Sequence, residues 1–353
     1  MTQSHEKRID GMTTKQTFFG LLPEEVKETC KDRGIPSFIG DQVLHWVYNK
    51  NILDPAKMRN IAKKNQEIIA EIFDFSLFKS VSSLMSHEEN AVKNNCVLFD
   101  NNIVECVVLK EKKYNTLCIS SQCGCPVDCK FCLTGVIGFK RQLTAHEIVA
   151  QVVYSHSIGY AITNIVFMGM GEPLLNYENV FKSIDILTHP KTYNISKRNI
   201  TVSTSGYMAG VERLIKDERF VNLAFSVGMA DPLRREQIMP TEKRNPILTF
   251  IKVVKEYQSM HNRKLTLEYT LLENVNDSEF DIKSLINLSK YLNAKINLIN
   301  LNPHPKIPYK PISVKKLHQI RDKIKKEKCP VTVRYKKGQD ISAACGQLGE
   351  SYL

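Results

Sequence analysis

The chain is 353 residues long, 42% hydrophobic and 24% charged, with 49 Lys and Arg against 37 Asp and Glu, a formal net charge of +12. That length excludes a small stapled module and fits one large α/β domain with a smaller companion. No run approaches the ~18 apolar residues of a membrane span, and the positive excess favours polyanions, nucleic acid above all.

Along the chain, residues 1–16 read as a disordered leader, because MTQSHEKRID is polar and lacks the apolar centre of a secretory signal. Residues 17–77 read as a small helical module. VLHWVYNKNI and MRNIAKKNQEIIAEIF repeat apolar residues at i, i+3 and i+4, with Gly34, Pro36 and Pro55 as punctuation. Its cations Lys50, Lys57, Arg59, Lys63 and Lys64 fit a solvated helix surface and an RNA contact equally. Residues 78–112 read as a β-rich connecting segment, with NCVLF and VECVVL around the turn-prone DNN.

From 113 to 353 strand-like and helix-like runs alternate. Strands are expected at 116–120, 164–170, 199–205, 221–227, 264–272, 295–301 and 331–335. Amphipathic stretches such as TAHEIVAQVVYSHS and VKKLHQIRDKIKK lie between them. Alternating β and α implies parallel strands with crossover helices. Six or seven such units point to a full or partial (β/α) barrel, in which functional groups sit at the C-terminal ends of strands. The distinctive motifs obey that rule: the cysteine loop, GMGEP (169–173) and Asn302-Pro303 follow expected strands, and STSG (203–206) and Ser226-Val227-Gly228 end them.

Ten cysteines, five of them between 118 and 132, read as metal or catalytic thiols in a reducing cytosol, and so as a cytoplasmic protein. Cys125-x-x-x-Cys129-x-x-Cys132 places three thiolates in one short loop. Three thiolates can hold three irons of a [4Fe–4S] cluster and leave the fourth open to a ligand. A structural zinc site is the alternative, with Cys123 completing the set. Outside this loop, Cys118 and Cys345 taken alone would be small buried hydrophobes. Glu172, Ser203, Ser226 and Asn302 taken alone would be turn or cap residues.

Together these motifs carry a family resemblance. The cysteine loop, with Phe131 before its last cysteine, resembles the radical S-adenosylmethionine (SAM) signature. GMGEPLLN (169–176), STSG, Asn302-Pro303 and AACGQL (343–348) narrow it to the RlmN/Cfr family of RNA adenine methyltransferases, closest to the C2-methylating RlmN branch. The resemblance implies a partial (β/α)6-type radical SAM barrel over 113–353, ending in a loop with a methyl-carrier cysteine. It makes 17–77 an accessory RNA-binding domain.

It also implies roles. Cys125, Cys129 and Cys132 would ligate a [4Fe–4S] cluster. Gly171, Glu172, Ser203, Ser226, Val227, Gly228 and Asn302 would contact SAM, of which two are used per turnover. Cys345 would take a methyl from the first SAM, and a radical from the second would activate that methyl for addition to adenine. Cys118 would then release the protein–RNA adduct by forming a transient Cys118–Cys345 disulfide, and Glu105 would remove the adenine proton. The expected product is C2-methyladenosine in 23S rRNA and at adenosine 37 of tRNA. A C8-methylating Cfr-like enzyme and a catalytically impaired cluster protein that binds RNA are the alternatives. Family members usually read Ser-Leu-His where this chain has Ser226-Val227-Gly228. Cys106 and Cys123 gain no role.

The implied partners are 23S rRNA, tRNA and an electron donor such as flavodoxin or ferredoxin, acting on a monomer. The cations Lys140-Arg141, Lys197-Arg198, Arg234-Arg235, Lys243-Arg244 and Lys336-Lys337, with the basic stretch 314–328, are the expected phosphate-binding rim.

Overall fold

The computed structural model describes residues 15–86, 90–261, 265–334 and 338–352. The expected leader therefore falls almost wholly outside the described residues, as do Lys336 and Lys337. The helical module forms as α1 (Pro23–Asp32), α2 (Ser37–Leu44, continuing through a π turn at His45–Asn49) and α3 (Lys63–Ile72). Gln16–Thr17 and Phe73–Asp74 pair in parallel and close it. Phe18 anchors its interior, with ring centroids 5.5 Å from Phe19, 5.4 Å from Phe73 and 4.7 Å from Phe75. This interior does not stop at the module. Phe19 lies 5.6 Å from His146 and Tyr48 lies 5.1 Å from Tyr193, so one apolar core runs from Phe18 into the rest of the chain.

Ten strands form one sheet in strict chain order: β1 (Ser80–Met85), β2 (Ala91–Val97), β3 (Ile103–Lys110), β4 (Asn115–Cys118), β5 (Ile162–Phe167), β6 (Ile200–Thr204), β7 (Asn222–Ser226), β8 (Thr266–Leu271), β9 (Lys295–Asn300) and β10 (Val331–Arg334). Pairing is antiparallel from β1 to β4 and parallel from β4 to β10. Among the described residues the end strands β1 and β10 do not pair with each other, so the barrel is partial. The expected connecting segment thus becomes the antiparallel wing of the same sheet.

Short α4 (Leu133–Val136) follows the cysteine loop, and the crossovers are α5 (Ala145–Ser157), α6 (Tyr177–Thr188), α7 (Met208–Lys216), α8 (Pro232–Ile238), α9 (Ile247–Ser259), α10 (Glu279–Leu292) and α11 (Val314–Lys326). Their starts are written locally. Thr144 and Glu147 form a reciprocal capping box on α5, as do Ser278 and Asp281 on α10. Asn293, at φ 45°, ends α10 in the left-handed region. Among the described residues no helix is long and apolar enough to cross a membrane.

Candidate active site

The loop after β4 is fixed before it reaches its cysteines. Gln151 of α5 brackets Ser120, its Oε1 accepting from Ser120 N (2.9 Å) and its Nε2 donating to Ser120 O (3.0 Å). Ser120 Oγ donates to Glu105 O (2.6 Å) and accepts from Met170 N (2.9 Å), tying β3, the cysteine loop and the loop after β5 together. Gly124 (φ +73°) passes so close to Gly138 that a Cβ would collide with the Gly138 carbonyl. Cys132 N donates to Cys129 O (3.1 Å) and Lys130 N to Ile238 O (2.9 Å), which turns the three cysteines inward.

Cys125, Cys129 and Cys132 line one cavity of about 160 Å³, together with Gly171, Glu172, Ser203, Ser226 and Cys345. Burial, and then the other thiols, push Cys129 well above the ordinary thiol range, and burial likewise raises Cys125. Two desolvated thiols, with Cys132 lining the same space, therefore call for a cationic ligand that turns them into thiolates. Among the described residues no three His, Cys, Asp or Glu side chains gather closely enough to share one metal ion. Thiolates on separate irons of a cluster need no such convergence. Cys123 is fully buried and faces Tyr352 and Arg141, so it does not complete a zinc set. The donor set fits a [4Fe–4S] cluster.

Opposite the cysteines, Glu172 is nearly fully buried, and that burial raises its carboxyl pKa. Ser205 donates to its Oε2 from both N (2.7 Å) and Oγ (2.8 Å). Gly171 (φ +102°) lies against Gln122, where a Cβ would come within 2.6 Å of the Gln122 side chain. Gln122 Oε1 accepts from Glu172 N (2.8 Å), so this residue of the cysteine loop aims the GEP turn. Ser203 Oγ and Ser226 Oγ are 3.5 Å apart on adjacent strand ends.

A second cavity of about 370 Å³ adjoins the first, and Cys345, Met168 and Ile299 line both. Cys118, Asn302 and Arg334 line this second space. Asn302 Nδ2 donates to Cys345 O (3.0 Å), while its Oδ1 is buried without a partner and available to a ligand. Burial pushes the Cys118 thiol up to about 12; Cys345 next to it also raises it, and Arg334 pulls it down. Burial raises the Cys345 thiol too, again against Arg334. All ten cysteines are free thiols in this structure.

The structure sets four of the expected residues apart from the two cavities and the exposed rim. Val227 and Gly228 line neither cavity. Val227 is fully buried in the core, and Gly228 (φ +64°) is packed so that a Cβ would collide with Met239 Sδ. Glu105 also lines neither cavity; its carboxylate accepts from the C-terminal segment instead. Arg235, expected on the RNA rim, is fully buried. It donates to Ser205 O (2.7 Å), Val227 O (2.9 Å) and Glu242 Oε2 (2.5 Å), joining the loops after β6 and β7. Arg334 and Gln122 were not singled out from sequence. The only signal for Arg334 is a lone cation at the end of the expected strand VTVRY.

A partial parallel barrel with three cysteines in its first βα loop, and a glycine-glutamate turn facing them, defines a radical SAM enzyme. The chain matches the family model described as the radical SAM superfamily over residues 119–282 and that of the ribosomal RNA large subunit methyltransferase N-terminal domain over 17–74. A probable dual-specificity RNA methyltransferase RlmN of Aquifex aeolicus is 38% identical, covering 92% of this chain and 94% of its own length. Its namesakes from Akkermansia muciniphila and Desulfotalea psychrophila are both 37% identical, each covering 92–93% of this chain and 93% of its own length. A crystal structure of a radical SAM methyltransferase from Sphaerobacter thermophilus superposes with a TM-score of 0.90 at 34% identity, over 94% of this chain and 99% of that one.

The chain therefore belongs to the RlmN family of dual-specificity RNA methyltransferases. Its cofactors are a [4Fe–4S] cluster and SAM. The relatives carry the RlmN designation, which sets the Cfr-like alternative aside.

Proposed function

We propose that this protein methylates C2 of adenosine in RNA, in 23S rRNA and at position 37 of tRNA, with Cys345 as methyl carrier and Cys118 as resolving thiol. The observation that carries the reading is the position of Cys345. It stands on the wall common to a cavity lined by the three-cysteine loop and a cavity lined by Cys118 and Arg334. A methyl received on one side is thus presented on the other. We read Cys125, Cys129 and Cys132 as the cluster ligands, and Gly171, Glu172, Ser203, Ser226 and Asn302 as contacts to SAM. When bound, the cluster and SAM supply the methyl group and the one-electron chemistry, and the protein positions and dries them.

The residues' own work is acid–base and nucleophilic. Cys345 must lose its proton to accept a methyl, and Arg334 is the cation beside it that favours the thiolate. After the methylene has joined the base, and the hydrogen it replaces has left as a proton to solvent and an electron to the external donor couple, Cys118 attacks the Cys345 sulfur. A Cys118–Cys345 S–S bond forms and the Cys345 S–methylene bond breaks. The electron pair goes to the methylene carbon, which takes up a proton and leaves as methyl. The sulfurs are oxidised, the carbon is reduced, and an external thiol reductant resets the pair.

A flavodoxin- or ferredoxin-type donor, a monomeric state and a cytoplasmic location complete the proposal. The test is peptide mass spectrometry of Cys345 after anaerobic purification with iron. One added methyl on its sulfur supports the reading, and an unmodified Cys345 in iron-replete protein defeats it.

A further inference from the structure

The segment that carries Cys345 ends on a buried ion pair that this chemistry does not use. Glu105 of β3 is fully buried and Lys93 of β2 is 2% exposed. They lie diagonally across adjacent antiparallel strands, Lys93 Nζ 3.8 Å from Glu105 Oε2. Burying two charges costs several kcal/mol each unless their remaining hydrogen-bond capacity is met, and here the C-terminal segment meets it. Gly349 N donates to Glu105 Oε2 (3.0 Å), and Ser351 donates to Oε1 from both N (3.1 Å) and Oγ (2.7 Å). Lys93 Nζ stands 3.8 Å from the Glu350 carboxylate and 3.5 Å from Ser342 O. Tyr352 Oη accepts from Ile103 N (2.8 Å) on β3.

On the other side, Gly346 O accepts from Leu133 N (2.8 Å) and Leu348 O from Thr134 Oγ1 (2.7 Å), both beside the cysteine loop. Both fixed points therefore follow Cys345 in the chain: the inner one at 346–348 beside the cysteine loop, and the outer one at 349–351, which Glu105 forms. The charged group is spent on backbone and hydroxyl donors of residues 349–351, not turned toward either cavity.

We infer that Glu105, with Lys93, is a positioning residue: it docks the C-terminal segment and so sets Cys345 between the two cavities. The inference rests on the reading of Cys345 as methyl carrier. It is tested in full-length, cluster-loaded Glu105→Gln, where an amide replaces one acceptor with a donor facing the Gly349 and Ser351 donors. Truncation after Leu348 is the companion variant, since it removes the docked residues and leaves both core charges in place. Two quantities are read without RNA: hydrogen exchange over residues 338–348, and the rate at which Cys345 takes a methyl from SAM.

Both variants are expected to exchange about tenfold faster in that segment. Both should methylate Cys345 at least about tenfold more slowly, a loss of roughly 1.4 kcal/mol of barrier-lowering, with iron content and SAM affinity unchanged. Should Glu105→Gln fail to fold because Lys93 loses its buried partner and keeps only the half-exposed Glu350, the truncated chain decides. Unchanged exchange in both variants overturns docking. Normal exchange and normal Cys345 methylation in Glu105→Gln, with failure only once RNA is present, would make Glu105 the proton acceptor and overturn it as well. If Cys345 of the parent protein takes no methyl, the carrier reading fails, while the exchange result still judges the docking.

Discussion

At the scale of single residues, Arg334 holds the balance of the thiols. It is the one cation lining the Cys118–Cys345 cavity among the described residues. Removing a positive neighbour destabilises a thiolate, so the Cys118 pKa, already pushed up to about 12 by burial, climbs further in Arg334→Gln. Below that pKa the thiolate fraction falls in proportion. Alkylation of Cys118 by iodoacetamide at pH 8 should therefore slow by about tenfold, one pKa unit's worth. An equal rate in variant and parent would remove Arg334 from the chemistry. Gly228 makes a second point. The family's histidine is absent where the left-handed backbone and Met239 leave no room for a Cβ. Gly228→Ala should destabilise the fold by roughly 1–3 kcal/mol through strain and overpacking, read as a lower Tm at unchanged iron content. A neutral Tm would show that Met239 gives way freely.

The elements that were legible in sequence are those whose local signals agree with their burial. α5 has its capping box at Thr144 and Glu147 and an apolar face at helical spacing. β8 and β9 alternate apolar with polar residues between helices, and both form in the expected places. What was hidden depends on partners far along the chain. Glu105 looks like a strand carboxylate until residues 349–351 are laid over it, a separation of about 244 positions that no local pattern encodes. Arg235 reads as a surface cation until Glu242, Ser205 and Val227 enclose it.

The joint between α5 and β5 carries its own prediction. His156 stacks on Tyr193 at 4.0 Å, its Nε2 accepts from Ile162 N (3.3 Å), and burial lowers its pKa to about 4. An unfolded histidine takes its proton near pH 6.5. Between those values the unfolded chain binds the extra proton, so stability is full above pH 6.5 and is lost as pH falls toward 4. Denaturant melts at pH 7.5 and 5 should differ by about 1–3 kcal/mol more in the parent than in His156→Gln. Equal losses in both proteins would place the acid sensitivity elsewhere.

For the molecule as a whole, strict sequential strand order gives the barrel two unlike rims, and this decides which cations can meet RNA. Every cofactor-facing loop leaves the C-terminal end of a strand. Lys243 and Arg244 belong to that rim, because their segment follows β7 through Met239, which lines the cysteine cavity. Both are exposed, and the exposed pair of Lys243 with Glu236 (3.2 Å) is of a kind worth little. Lys197 and Arg198 precede β6 and so occupy the opposite rim, contrary to the expected ring of cations. Arg141 sits beside the cysteine loop but is held by Asp100 (2.5 Å) and Glu147 (2.7 Å). RNA affinity set by phosphate contacts should follow this geometry. Reversing Lys243 and Arg244 together to Glu should weaken RNA binding by about tenfold or more near 0.1 M salt and flatten the log–log salt dependence by about two units. Reversing Lys197 and Arg198 makes the same change in net charge on the far side, and should shift affinity by less than about threefold, the long-range share left after screening over a Debye length of ~10 Å. Equal losses from the two reversals would mean that the protein attracts RNA by net charge alone and that the active-site rim does not grip it.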